Sequence, residues 1–64
     1  MSYRVVTESE RGNRKYQILR RLGSHVYGLR KLVKDGSDYY NIGIEWLGQE
    51  DKVRKEANTF LRGN

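Results

Sequence analysis

The stretch Tyr39-Tyr40-Asn41-Ile42-Gly43-Ile44-Glu45-Trp46-Leu47 carries the cleanest periodicity in the chain. Tyr40, Ile42, Ile44 and Trp46 recur at every second position, and Tyr39, Asn41, Gly43 and Glu45 fill the positions between. Such alternation is the pattern of a half-buried β-strand. Trp46, the only tryptophan, is large enough to dominate a small core. Gly43, in the middle of the strand, marks a bulge, a close backbone approach or an aromatic lying across it.

Upstream, Lys34-Asp35-Gly36-Ser37-Asp38 is a five-residue connection with turn chemistry, and it suits a hairpin. The segment before it, Val26 to Lys34, reads in two ways. As a strand it places Tyr27, Leu29 and Val33 on one face, with Lys31 interrupting. As a helix it would be capped by Ser24, striped by Val26, Leu29, Leu32 and Val33, and stopped at Gly36. Gly28 weakens both readings, and the strand is preferred. Lys15 to Leu22 is a further strand: Tyr16, Ile18 and Leu22 share a face that Arg20 interrupts, while Leu19 falls on the other. Either a bulge near Leu19 re-aims the chain, or Arg20 sits at the sheet margin with its stem over apolar surface. Tyr3 to Glu8 is a first strand with neither face purely apolar, which fits an edge. The Gly12-Asn13 pair links these two strands as a hairpin turn.

Downstream, Gln49 to Arg62 predicts a helix. Val53, Ala57, Phe60 and Leu61 form its apolar stripe. Glu50 and Asp51 open it and Arg62 closes it, as the helix dipole favours. Asp51 and Lys55 are placed for an i,i+4 ion pair. Gly48 is the candidate N-cap and Gly63 the candidate C-terminal cap. The expected fold is therefore α+β: a small antiparallel meander of three to four strands (about 3–8, 15–22, 26–34 and 39–47), then one C-terminal helix (about 49–62) packed on one face. The helix stripe is expected to cover Ile42, Ile44 and Trp46 together with Ile18 and Leu29. The opposite face is expected to be solvated and polar.

Sixty-four residues make a single domain, 1–64, and a chain of this size buries only about 60% of its unfolded surface. A partner or a homodimer would help to stabilise so thin a core. There is no cysteine and one histidine, His25. Disulfides and thiolate metal sites are excluded, and no metal or cofactor is expected. The Met-Ser-Tyr-Arg start lacks the apolar core of a signal peptide, and no apolar run is long enough to span a bilayer. The expected compartment is the cytoplasm, with no membrane partner.

Net charge is +5, and it is unevenly spread. Residues 1–34 hold nine basic residues against two acids, whereas residues 35–64 hold four against six. That asymmetry points to a polyanionic partner. Arg14, Lys15, Arg20, Arg21, Arg30, Lys31 and Lys34 lie in or beside the second and third strands, interleaved with Tyr16, Tyr27, Tyr39 and Tyr40. Strand alternation sends one of Arg20 and Arg21, and one of Arg30 and Lys31, to the solvent face. A basic sheet face bearing tyrosines combines backbone neutralisation with base stacking. The plainer reading is that these charges solvate a sheet and blunt its edges.

No catalytic constellation stands against this. His25 lacks a nearby nucleophile or acid partner. Asp35 and Asp38 are turn residues, and the scattered glycines match no phosphate loop. No enzyme activity and no small-molecule substrate are expected. The element order from about Tyr16 to Leu61, three strands and a helix, is similar to the arm-binding domains of some integrases and to the DNA-binding domains of plant ethylene-response factors. The similarity lies in element order and in no residue motif, and the first strand is an addition to it. It implies a sheet that reads the DNA major groove. The expected function is a non-enzymatic nucleic-acid-binding module using Arg14, Lys15, Arg20, Arg21, Tyr27, Arg30, Lys31, Lys34 and Tyr39. The alternative is a protein-interaction module, an adaptor, inhibitor or small subunit, that docks on an acidic surface or adds its Tyr3–Glu8 edge to a partner's sheet.

Overall fold

The computed structural model describes residues 2–63. Four strands, β1 (Tyr3–Arg11), β2 (Arg14–Arg21), β3 (Tyr27–Asp35) and β4 (Asp38–Gly48), form one antiparallel sheet in the order β1-β2-β3-β4. Helix α1 (Glu50–Arg62) follows. Val26 to Lys34 is thus a strand, one residue out of phase with the expected limits. The β3–β4 hairpin is tighter than its sequence implied. The β3–β4 link shrinks to Gly36-Ser37 because Asp35 and Asp38 pair, and Gly36 takes the positive φ (69°) that so short a loop needs. The β2–β3 loop is longer; there the Ser24 hydroxyl accepts the Val26 N–H at 3.2 Å.

Residues paired across neighbouring strands share a face, so register assigns every side chain. Ile18 pairs with Leu29, and Leu29 with Glu45. Ile18 and Leu29 are fully buried against Val53 and Ala57 of α1, with Tyr16, Tyr27 and Leu47 around them. This is the helix-covered face. Its burial follows from the α1 stripe, whose Val53 and Ala57 point inward while Lys52, Arg54 and Lys55 stay exposed.

The helix does not cover Ile42, Ile44 and Trp46 as expected. Gly28 pairs with Trp46 and Leu19 with Gly28, which puts Leu19, Gly28 and Trp46 on the face away from α1. The break lies at Ile42. Lys31 pairs with Gly43 but Leu32 pairs with Asn41, leaving Ile42 as an extra residue. Gly43 adopts φ 143°, and its N–H is held by the Asn41 side-chain oxygen at 2.9 Å. This bulge inverts the phase of β4. Tyr39 and Asn41 therefore share the helix-free face with Ile44 and Trp46, while Tyr40 lies on the other. A second irregularity inserts Leu47 beside Gly48 and returns Leu47 to the helix side. On β1 the extra residue is Val6, between Val5 and Thr7. The bulge considered near Leu19 in β2 does not exist, because β2 pairs without a break with β3. Arg20 lies instead at the sheet margin, its Nε donating to the Ser24 carbonyl at 3.3 Å.

At the helix start the N-cap is Gln49 in place of Gly48, without a side-chain cap bond. The ion pair that forms is Glu50–Arg54 at 2.8 Å, not Asp51–Lys55. At the other end, Gly63 is left-handed (φ 79°) and donates to the Phe60 carbonyl. No helix among the described residues is long and apolar enough to cross a membrane.

Candidate nucleic-acid interface

The register divides the nine sequence-derived residues between two faces. Arg14, Arg20, Tyr27 and Lys31 lie on the helix side, where their contacts serve the fold. The Arg14 guanidinium donates to the Phe60 carbonyl at 2.9 Å and stacks on the Phe60 ring at 5.1 Å. Lys31 lies 5.7 Å from the same ring. Cations here complement the negative end of the α1 dipole. Tyr27 packs against the core, with Arg20 5.9 Å from its ring.

Lys15, Arg21, Arg30, Lys34 and Tyr39 come together on the helix-free face. That face is not the plain polar surface expected of it. Leu19 is fully buried there although no helix covers it. The Trp46 ring lies across Gly28, so close that a Cβ at position 28 would meet ring atoms at 2.5 Å. The glycine lets the indole lie flat on the backbone of β3. Tyr3 meets Trp46 edge-on at a centroid distance of 5.9 Å, a favoured aromatic geometry. The Arg21 guanidinium is 4.8 Å from the Trp46 centroid, and the Arg30 guanidinium is 5.4 Å from that of Tyr3.

Arg30 is fixed further by donating to the Gln17 side-chain oxygen at 2.9 Å and to the Tyr3 hydroxyl. Gln17 in turn donates to Glu8 at 3.1 Å. Arg21 is less committed. Among the described residues its Nε, like that of Arg30, is shielded from solvent without a hydrogen-bond partner.

The far end of the face is built around Tyr39. Lys15 and Lys34 approach its ring at 5.3 and 5.8 Å, and its hydroxyl donates to Glu10. That bond raises the Tyr39 pKa, because the phenol proton is shared with a carboxylate. Glu8 is shifted the other way: hydrogen bonds from Gln17 and Lys15, and then the Lys15 charge, hold its carboxyl below the usual value. Lys15–Glu8 (3.3 Å) is the one ion pair on this face among the described residues. Arg21, Arg30 and Lys34 have no carboxylate partner there.

Tyr3 and Trp46 belong to this face and escaped the sequence reading. Two signals in the chain could have found them. Gly28, in an otherwise large-residue strand, marks a place for a ring from a neighbouring strand. Asn41-Ile42-Gly43 carries the chemistry of a bulge, which moves Trp46 out of phase with Tyr40.

The described residues hold no cluster of three or more His, Asp or Glu able to bind a metal. A shallow cleft of about 420 Å³ lies elsewhere, at the β4 bulge, lined by Leu29, Lys31, Ile42, Gly43, Ile44 and Glu45. No protein-family model, curated protein or solved structure gives a significant match to this chain.

Proposed function

We propose that this protein is a non-enzymatic nucleic-acid-binding module whose interface is the helix-free face of its sheet. The observation that carries this reading is one arrangement. Lys15, Arg21, Arg30 and Lys34 share that face with Tyr3, Tyr39 and Trp46, each cation lies against an aromatic ring, and among the described residues only Lys15 of the four has an acidic partner. Unpaired cations exchange bound counterions for phosphates, which gives affinity and salt dependence. Rings held beside them add stacking. Arg14, Arg20, Tyr27 and Lys31 are assigned here to holding the helix side of the sheet.

The rival reading is docking on a protein partner through a sheet edge. Both edges are unpaired in this chain, and Tyr40 and Ile42 on β4 are more than half exposed. Bulges at Val6 and Ile42 bend both edges, however, and such bulges oppose strand addition.

The test compares charge-matched variants in fluorescence anisotropy with labelled DNA and RNA. Arg21→Gln with Lys34→Gln is expected to lower affinity at least tenfold and to flatten the salt slope. Lys52→Gln with Lys55→Gln, on the exposed side of α1, is expected to leave both near the parent values. Equal losses in the two double variants would assign the binding to overall charge and overturn the interface.

A further inference from the structure

Resting on that reading, we propose that the ligand is single-stranded: a nucleic-acid strand lies along the helix-free face, one base stacked on the Arg21–Trp46 pair and another at Tyr39.

The width of the sheet carries the first part of the argument. Four strands at the usual spacing put the axes of β1 and β4 about 14 Å apart, before side chains are added, against a major groove about 12 Å wide. By the same spacing β2 to β4 alone would span about 10 Å, and pairing of β1 with β2 over Tyr3–Arg11 carries the sheet beyond the groove width. β1 is not a detachable flap, since Tyr3 holds both Trp46 and Arg30.

The chemistry of the face carries the second part. Duplex bases are stacked on one another and offer only their edges, whereas an unpaired strand offers base planes. Trp46 is backed by Gly28, and the Arg21 guanidinium lies over it at 4.8 Å. A planar guanidinium already seated on an indole presents a plane for a base and keeps donors for the neighbouring phosphate. The second platform, Tyr39, is flanked by Lys15 and Lys34. Trp46 and Tyr39 sit at opposite ends of β4, about 20 Å apart at the ordinary strand rise. Arg30 lies between them, paired with Ile44. Ring, cation and ring thus follow one line along β4 and its neighbour β3, as a threaded strand requires.

The experiment uses the whole chain and one labelled mixed-sequence oligonucleotide, alone and annealed to its complement, as DNA and as RNA. Trp46 is the only tryptophan, so its emission reports stacking at that site. The single strand is expected to bind at least tenfold tighter than the duplex and to quench Trp46. Arg21→Lys keeps the charge and loses the plane. It is expected to weaken single-strand binding about fivefold, with the salt slope unchanged and circular dichroism as in the parent. Duplex binding equal to or tighter than single-strand binding would overturn the proposal while leaving a nucleic-acid interface in place. So would single-strand binding that leaves Trp46 emission unmoved and tolerates Arg21→Lys. Failure of both forms to bind at physiological salt would overturn the broader reading as well.

Discussion

Gly28 shows how one missing methyl group shapes a surface. A Cβ there would stand 2.5 and 2.8 Å from Trp46 ring carbons, so Gly28→Ala is expected to lift the indole from the sheet. Overpacking of this kind costs about 1–3 kcal/mol, to be read from chemical denaturation, and a red-shifted Trp46 emission is expected with it. Glu10 acts on the ligand side of the balance. Its carboxylate holds the Tyr39 hydroxyl and places negative charge beside Lys15. Glu10→Gln is expected to raise nucleic-acid affinity about two- to fivefold, the scale of an exposed charge pair, in the same anisotropy assay. Glu8 makes the fold pH-sensitive. Because its folded pKa lies below the unfolded one, its stabilising contribution is full above the unfolded pKa and is lost as pH falls through the folded value. Glu8→Gln is expected to flatten the acid limb of a thermal-stability profile. The variant is expected to be slightly less stable than the parent at neutral pH and to converge with it as pH falls through the folded Glu8 value.

At the scale of the element, α1 closes one side of the sheet with few side chains. Val53 and Ala57 are the helix residues with no exposed surface, and they meet Ile18 and Leu29. Val53→Ala removes two methyl groups from this contact and is expected to cost about 2 kcal/mol, measured by urea unfolding. The strands are shaped by their irregularities. The bulge at Ile42 puts Tyr39 beside Lys34 and Lys15, whereas unbroken alternation back from Trp46 would send it to the helix side. Gly43 permits the bulge by taking φ 143°. In a regular strand a tyrosine and a tryptophan seven residues apart would face opposite sides, and the extra residue at Ile42 absorbs the odd position so that Tyr39 and Trp46 share one.

As a whole, the molecule is one sheet with a side covered by the helix and a helix-free side. Each side has its own buried part: Ile18, Leu29, Val53 and Ala57 on the first, Leu19 and the Gly28–Trp46 contact on the second. The second is closed by arginine stems and rings, which is how so short a chain shields apolar surface without a second helix. With Lys15, Arg21, Arg30 and Lys34 all on phosphates of a single strand, the slope of log affinity against log salt is expected to be about −3. A salt titration of the parent protein checks this value.

The order of elements was legible in the chain itself. Alternation in Tyr16-to-Leu22 and Ile44-to-Trp46, turn residues at Gly12, Gly23 and Gly36, and the Val53-Ala57-Phe60 stripe each act over a few residues, so local physics writes them into the sequence. Clustering of cations on β2 and β3 was legible for the same reason. Which side each residue faces was not, because a face depends on register, and one bulged residue reverses it. The tertiary structure alone decided that Trp46 leaves the helix for Gly28, and that Arg14 and Lys31 hold the end of α1. It also decided that Arg21, Arg30, Lys34 and Tyr39 gather on the open side. Those outcomes depend on pairings between strands far apart in the chain, which no local pattern encodes.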